Sequence, residues 1–131
     1  SGTGSNGTAF TRYNYPPLYA PVDFHSACAL NNYQSAANVQ DCELFSLPDL
    51  KTETEKVRLT LAGYLLSLAR MGVAGFRIDA AKHIQQVDLD TIVTIVNTTL
   101  TGEGRPRYSA APSTMITSAR RASSTVDWRA I

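Results

Sequence analysis

The sequence lacks the features that mark several classes of protein. Its 131 residues include only two cysteines, two histidines and one tryptophan, and its formal net charge is +1. No run of about 18 apolar residues could span a bilayer, and no charged start followed by an apolar segment marks a signal peptide. Lys and Arg are not gathered into a basic stripe of the kind that binds nucleic acid. We therefore expect neither a nucleic-acid partner nor a membrane partner.

Its apolar residues, by contrast, are sufficient for a hydrophobic core. They make up 44% of the chain, which is typical of one globular unit or part of one. The two cysteines, Cys28 and Cys42, close a short loop and have no His or Cys neighbours at zinc spacing, so no metal cluster is expected there. Taken alone, their spacing allows either two buried free thiols or a disulfide.

A loop-rich start leads into a clear helical pattern. Residues 1–50 are rich in Gly, Asn, Pro, Tyr and Ser and show no sustained strand or helix period, which favours irregular loops with short strands. A capping box at Thr52–Glu55 opens a run of apolar residues at helical spacing, and Gly72 offers a stop, so the sequence predicts a helix over 52–71. The apolar positions of this helix are Val57, Leu61, Tyr64, Leu65 and Leu68.

The next stretch, 73–79, predicts a strand that ends in charge. Successive side chains of a strand point to opposite faces, so Phe76 and Ile78 share an apolar face while Arg77 and Asp79 share the other. If the strand is buried on both sides, the two charges are costly unless they have a partner or a task. The alternative is a structural Arg–Asp pair at the end of a core strand, and for the pair alone that alternative is the more common one.

Two further segments complete the chain. Residues 87–100 mix Ile, Val, Thr and Leu, which propensity alone allows as strand or helix. A helix, a Gly turn and a buried strand form the αβ half of a parallel-sheet repeat, and that order favours a helix here with Asp88 as its N-cap. Residues 109–131 are dominated by Ser, Ala, Thr and Arg without an apolar period, so we predict an unrelated or disordered tail.

Nine consecutive residues, Gly75–His83 with the sequence GFRIDAAKH, resemble the segment of the α-amylase family (glycoside hydrolase family 13) that carries the catalytic nucleophile. The resemblance extends to DFH at 23–25, Tyr33, VQDCEL at 39–44 and LPDL at 47–50. These motifs stand in the order found in secreted, calcium-dependent α-amylases of the animal and related bacterial type. The resemblance covers roughly residues 1 to 107.

This resemblance implies an α/β fold, a partial (β/α)₈ TIM barrel. A whole barrel typically needs about 250 residues, so we expect the chain to be a fragment of a catalytic domain. Residues 1–50 match domain B, the irregular domain that protrudes after the third barrel strand, and 51–108 match a barrel segment. The resembling amylases have a disulfide at the place of Cys28 and Cys42, which favours a bridge over free thiols.

The resemblance also implies roles for individual residues. Retaining glycosidases use two carboxylates about 5 Å apart, and Asp79 matches the nucleophile. Arg77, on the same face, would orient Asp79 and lower its pKa, and in chloride-activated relatives the matching arginine binds the anion. Residues that match the walls of the sugar-binding cleft are Lys82, His83, Tyr33 and Leu44. For Tyr33 and Leu44, loop packing is an equally good explanation.

The resemblance implies calcium as the cofactor, with chloride as a second one. The resembling enzymes hold calcium mainly through oxygen atoms. The matching ligands are the carboxylate of Asp49 and the main-chain carbonyls of Gln40 and His83. The relatives have Arg at the place of Gln40, which a backbone ligand tolerates. An asparagine ligand that the family places upstream is not in this chain, so the expected site is incomplete.

The implied activity is the endo-hydrolysis of α-1,4-glucosidic bonds in starch or glycogen, with retention of configuration. The resemblance also implies a secreted, extracellular enzyme that is monomeric at full length and has an α-glucan as its partner. The family places its general acid at the end of the next barrel strand, but no Glu follows Glu103 in this sequence. We therefore expect the isolated chain to be inactive. One alternative is an inert fragment with at most weak glucan or calcium binding, and another is a related transglycosylase or glucosidase of family 13.

Overall fold

Two structural units make up the part of the chain that the computed structural model describes, residues 1–108. The first unit spans Ser1–Val57, and the second begins at Arg58. The predicted tail, 109–131, lies outside the described residues. No described helix combines the length and the hydrophobicity needed to cross a bilayer.

The first unit contains little regular structure. Strands β1 (Gly2–Thr3) and β2 (Ala9–Phe10) form a short antiparallel hairpin in which Gly2 is opposite Phe10. Among the described residues 1–54, the one α-helix is α1 (Ala36–Asp41). The Ser35 side chain caps it by accepting a hydrogen bond from the Asn38 N–H at 3.3 Å. Short 3₁₀ turns and isolated bridges join these pieces, because the segment lacks a sustained apolar period.

An aromatic cluster around Phe24 forms the core of the first unit. Phe24 is buried, and the rings of Tyr13, Tyr15 and Tyr19 lie around it with centroid distances of 5.6, 5.8 and 6.1 Å. Two of these contacts are edge-to-face, the arrangement that aromatic quadrupoles favour. Large rings thus supply apolar contact area that the few aliphatic residues of this unit do not.

The predicted disulfide is confirmed. Cys28 and Cys42 are bonded, with their Cα atoms 4.9 Å apart. The Asn38 side chain organises the enclosed loop: its Oδ1 accepts hydrogen bonds from the backbone N–H groups of Asn31 and Asn32 at 2.9 and 2.8 Å, and its Nδ2 donates to the Ala29 carbonyl at 3.2 Å. The disulfide and the Asn38 side chain therefore hold this loop in place of the hydrogen bonds of a β-sheet.

The second unit is built on two helices. Helix α2 spans Glu55–Arg70, so it begins in the last residues of the first unit, and α3 spans Gln86–Gly102. Small and aliphatic side chains of both helices share one buried cluster with Tyr108. From the two helices, the cluster takes Ala62, Leu65, Leu66, Ala69, Ile92, Val93, Val96 and Leu100. Tyr64, predicted on the apolar face of α2, is instead 63% exposed.

Helix α2 begins three residues after the predicted capping position, Thr52. Residues Lys51–Thr54 form a turn in which both the backbone N–H and the side-chain hydroxyl of Thr54 donate to the Lys51 carbonyl, at 3.0 and 2.8 Å. The helix therefore begins later than the predicted bound of 52, because this turn occupies the residues that would have made its first turn.

The predicted strand at 73–79 is not a strand in the described residues. The backbone is irregular here, yet Phe76 and Ile78 still pack on the helical cluster, and the Phe76 ring meets the Tyr108 ring edge-on at 5.1 Å. The Tyr108 hydroxyl donates to the Val73 carbonyl. A parallel strand takes its hydrogen bonds from neighbouring strands, and the described residues of the second unit contain none.

The N-cap prediction for α3 is also wrong. The helix follows Gln85, whose side chain makes no capping hydrogen bond, and Asp88 lies inside the first turn. Asp88 is buried and accepts a hydrogen bond from Arg58 Nη1 at 3.0 Å. The carboxylate therefore forms an ion pair within the second unit, in a first turn where the helix dipole also favours negative charge.

Candidate active site

Asp79 lies where the irregular segment after α2 turns into a short 3₁₀ helix, Ala81–His83. Its Oδ1 accepts a hydrogen bond from the Ala80 N–H at 3.1 Å. Ala80 has a left-handed backbone, with φ 53° and ψ 27°, which is uncommon for a residue with a Cβ atom. A strained turn thus follows the carboxylate directly and holds one of its oxygens.

Arg77 and Asp79 form an ion pair on the exposed side of this segment. Arg77 Nη2 is 3.6 Å from Asp79 Oδ1, and the two side chains are 74% and 84% exposed. The condition of burial on both sides is not met in the described residues, where only the face of Phe76 and Ile78 is covered. An ion pair in water contributes little stability, so packing does not explain the pair.

The 3₁₀ turn places the other residues of the motif next to the nucleophile candidate. Lys82 is exposed and His83 is half-buried, and both follow Asp79 within one short turn. Tyr33 and Leu44 lie in the first unit, where Tyr33 is exposed and Leu44 is half-buried at the start of a 3₁₀ turn, Leu44–Ser46. The motif thus brings together Asp79, Lys82 and His83 by chain proximity.

Asp49, the expected calcium ligand, lies in a group of charged side chains in the first unit. Its Oδ2 is 2.8 Å from His25 Nδ1, and His25 Nε2 is 3.1 Å from Glu53 Oε1. Burial raises the pKa of Asp49, the nearby Asp41 and Glu53 carboxylates add to the rise, and His25 opposes it. Burial alone would lower the pKa of His25, but its hydrogen bonds and its attraction to Asp49 and Glu53 outweigh burial and leave that pKa raised.

This environment fits a hard divalent cation. A half-buried carboxylate with excess negative charge around it would be stabilised by calcium, which prefers oxygen ligands. The Gln40 carbonyl lies in the last turn of α1, where helix carbonyls have no partner further along the helix. No group of three His, Cys, Asp or Glu side chains within residues 1–108 could hold a metal, but the expected ligand set uses one side chain and backbone oxygens.

An ion pair of the first unit, in which the carboxylate is buried, was not predicted from the sequence. Glu43 is 7% exposed, and Arg12 Nη2 lies 2.7 and 2.9 Å from its two carboxylate oxygens. The Tyr13 hydroxyl donates to the same carboxylate. These hydrogen bonds, first from Tyr13 and then from Arg12, hold the pKa of Glu43 below its usual value. No local pattern could have paired residues that are 31 positions apart.

The Glu43 side chain borders an open cleft of about 410 Å³ in the first unit. Its other lining residues are Ala27, Cys28, Ala29, Leu30, Phe45 and Ser46. Phe45 is 86% exposed and has a left-handed backbone with φ 51° and ψ 37°. Sequence analysis did not single out Phe45, because an aromatic residue in an irregular segment has no period that would mark it as displayed rather than buried.

The chain is similar to curated α-amylases over most of its length. It is 55% identical over 93 residues to an α-amylase of Streptomyces violaceus and 47% identical over 94 residues to one of Tribolium castaneum. Each match takes in 70% of this chain, but only 16% and 19% of those relatives. The chain therefore spans less than a fifth of the length of these proteins. No protein-family model matches it.

Solved structures give the same result. The crystal structure of wild-type α-amylase I from Eisenia fetida has a TM-score of 0.69 and 33% identity, over 85% of this chain and 25% of that one. A variant of the same enzyme in complex with maltohexaose has a TM-score of 0.69 and 32% identity, over 87% of this chain and 26% of that one.

Proposed function

The chain belongs to the α-amylase family of glycoside hydrolases, and we propose that it is the part of an α-amylase that supplies the catalytic nucleophile, Asp79. The observation that carries this proposal is the setting of Asp79 within Gly75–His83. The apolar side of the segment is packed on helices, and the carboxylate faces solvent next to a left-handed turn. A left-handed backbone at a residue with a Cβ atom costs stability, and such strain is concentrated at functional sites.

The proposed chemistry is a double displacement at the anomeric carbon of a glucose unit. An ionised Asp79 oxygen bonds to that carbon while the bond to the leaving glycosidic oxygen breaks and a general acid protonates that oxygen. Water then attacks the same carbon, gives up one proton to the group that acted as general acid and is now deprotonated, and releases the Asp79 carboxylate. Arg77, 3.6 Å away, would orient the carboxylate, and its guanidinium is also the group that would bind chloride.

The proposed substrate is an α-1,4-linked glucan such as starch or glycogen, cleaved internally with retention. The similar Eisenia fetida enzyme is described in complex with maltohexaose, a substrate-like oligosaccharide. Lys82 and His83 directly follow the nucleophile in a 3₁₀ turn, which supports a role in holding the neighbouring sugar. Tyr33 and Leu44 would contribute to the wall of the cleft from the loop-rich segment.

That loop-rich segment, residues 1–50, is proposed to be domain B, with calcium as the cofactor. Asp49 would hold the ion through its carboxylate, and Gln40 and His83 would contribute backbone carbonyls. When bound, calcium would neutralise the excess negative charge around Asp49 and fix this part of the chain. The disulfide supports a secreted, extracellular protein, because such bonds persist in oxidising compartments. We propose that the full-length enzyme acts as a monomer.

A second candidate function, an inert chain with at most weak glucan or calcium binding, is favoured by one specific observation. The printed sequence has no Glu after Glu103, and Asp127 is the one side-chain acid that follows it. A positioned general acid contributes typically about 10²–10⁴-fold to the rate, so the chain on its own would hydrolyse starch poorly even with its nucleophile in place.

One experiment tests the nucleophile without requiring the acid. A 5-fluoro-α-glucosyl fluoride carries a leaving group that departs without protonation, so it should form an ester with the carboxylate that attacks. We expect mass spectrometry of the treated chain to find one added fluoroglucosyl group on the peptide containing Asp79, and none in Asp79→Asn. Asp90→Asn is the matched control and should be labelled like the original chain. A label at another carboxylate, or equal labelling of Asp79→Asn, would remove Asp79 from its assigned role.

A reducing-sugar assay on soluble starch separates the two candidate functions. Release of reducing ends by the chain, lost in Asp79→Asn, would support an active enzyme. Labelling of Asp79 without starch hydrolysis would support a chain that holds the nucleophile but lacks the acid.

A further inference from the structure

Two consecutive residues beside the cleft of the first unit have strained backbones. Phe45 has φ 51° and Ser46 has φ 61°, both in the left-handed region where a Cβ atom is unfavourable. Phe45 also exposes 86% of its surface, the highest fraction among the exposed large hydrophobic residues of the described chain. Both features cost stability, and neither provides packing that would offset the cost.

The surrounding structure holds this strained pair in place. The Leu47 N–H donates to the Leu44 carbonyl at 3.0 Å, which closes the turn around Phe45 and Ser46. On the preceding side, the Glu43 N–H donates to the Cys28 carbonyl at 2.9 Å, and the Glu43 carboxylate is paired with Arg12. Left-handed residues persist only where their neighbours determine the conformation. The contacts around Phe45 and Ser46 do so here, and they thereby hold the Phe45 ring in its exposed position.

The displayed ring borders a space of the right size and chemistry for a sugar. The cleft holds about 410 Å³, within the range of small-ligand sites, and Phe45 and Ser46 both line it. The face of an aromatic ring carries partial negative charge, which attracts the C–H groups on the face of a pyranose ring. The backbone N–H and C=O groups of the loop can meet the sugar hydroxyls at the edge.

We propose that Phe45 is a stacking platform for one glucose unit of an α-glucan and thereby sets how strongly this cleft holds its substrate. The assignment rests on the proposed function and deepens it, since Phe45 directly follows Leu44, the proposed cleft-wall residue. This role explains the strained turn, because the left-handed backbone at Phe45 holds the ring exposed beside the cleft, where a sugar can contact it.

The test is maltohexaose binding by the full chain, measured by isothermal titration calorimetry together with thermal unfolding of each variant. Phe45→Gly removes the ring and also suits the left-handed backbone. We expect maltohexaose to bind roughly three- to tenfold more weakly, the change produced by losing one aromatic contact, while the thermal midpoint stays unchanged or rises. Phe45→Tyr should restore the affinity, because it keeps the ring.

Ser46→Gly is the matched control, since it relieves the same kind of strain one residue later and leaves the ring. It should bind maltohexaose as the original chain does. Unchanged affinity in Phe45→Gly would overturn the stacking role, and so would an original chain with no affinity for maltohexaose. Either result leaves the proposed nucleophile to be decided by the labelling of Asp79, so the two proposals can fail separately.

Discussion

Arg12 and Glu43 form a close ion pair across 31 positions of the sequence, with Arg12 Nη2 2.7 Å from Glu43 Oε2. The carboxylate is buried while half of the Arg12 side chain stays exposed. A buried carboxylate that loses its cation becomes costly to keep inside the protein. The pair therefore matters more to the first unit than an ion pair at a fully exposed position would.

Arg12→Gln should destabilise the first unit, because it leaves Glu43 buried without its cation. We expect the thermal midpoint, followed by circular dichroism, to fall by several degrees. Arg107→Gln, which changes an exposed arginine, should leave the midpoint unchanged. Equal midpoints for the two variants would show that the Arg12–Glu43 pair does not support the fold.

The same pair should make stability depend on acid pH. Hydrogen bonds from Tyr13 and Arg12 hold the pKa of Glu43 below its usual value, and hydrogen bonds from Lys56 and from the Ala20 N–H do the same for Asp23. A carboxyl whose folded pKa is lowered stabilises the fold above its unfolded pKa, and this contribution is lost as the pH falls through the folded pKa. Urea midpoints should therefore fall below about pH 4.5, near the unfolded values.

Glu43→Gln tests which group causes this dependence. It removes one of the titrating carboxyls, so the decline of the urea midpoint between about pH 5 and pH 3 should become shallower than in the original chain. An unchanged slope would assign the acid sensitivity to Asp23 or to other carboxyls.

The helical cluster of the second unit gives a contrast between a buried and an exposed apolar residue. Leu100 is fully buried against the cluster, and Leu100→Ala should lower the free energy of unfolding by about 2–5 kcal/mol. Tyr64 is exposed, so Tyr64→Ala should change it by less than about 0.5 kcal/mol. Urea denaturation measures both. A larger effect at Tyr64 than at Leu100 would contradict the observed packing of α2 and α3.

The predicted bounds of the two long helices lie within three residues of the observed ones. Apolar spacing indicated α2, whereas the order of elements favoured a helix over 87–100, where propensity alone left strand and helix open. It also indicated that Phe76 and Ile78 share a packed face opposite Arg77 and Asp79. It could not indicate whether 73–79 forms a strand, because the hydrogen bonds of a parallel strand come from other strands. Periodicity carries information about one segment and its covered face, but not about its partners.

The candidate site shows the same division. The nine-residue motif predicted Asp79 and its neighbours as site residues, and this stays a prediction. Nothing local marked Phe45 and Ala80 as left-handed, because neither residue type favours that conformation. Near Phe45, contacts distant in sequence hold Glu43, whose N–H donates to the Cys28 carbonyl and whose carboxylate pairs with Arg12. Strained positions of this kind are found only in the structure.

Calcium binding offers a test of the group around Asp49. His25 Nδ1 lies 2.8 Å from Asp49 Oδ2, and this contact fixes the orientation of the carboxylate that we propose as a calcium ligand. We expect Asp49→Asn to abolish calcium binding by the chain in isothermal titration calorimetry. His25→Gln should weaken it about tenfold, the usual effect of losing a group that orients a metal ligand. Asp90→Asn should bind as the original chain does. Equal calcium affinity in His25→Gln would remove the orienting role.

The left-handed turn after Asp79, the proposed nucleophile, gives the final prediction, because the strained residue Ala80 also contacts the Asp79 carboxylate. Ala80→Gly relieves the left-handed backbone, so the free energy of unfolding should rise by about 0.5–1 kcal/mol after the greater freedom of glycine in the unfolded chain is subtracted. The Ala80 N–H also holds Asp79 Oδ1, and a glycine there would hold it less firmly. Labelling of Asp79 by the fluoroglucosyl reagent should therefore become slower.

Ala81→Gly separates these effects, since Ala81 lies in the 3₁₀ turn and is not among the left-handed residues. It should lower the free energy of unfolding by roughly 0.5–1 kcal/mol, the usual cost of glycine inside a helical segment. A gain in stability at Ala80 together with slower labelling would show that the turn sacrifices stability to hold the carboxylate. A loss of stability at Ala80, or unchanged labelling, would show that the left-handed turn is not part of the site.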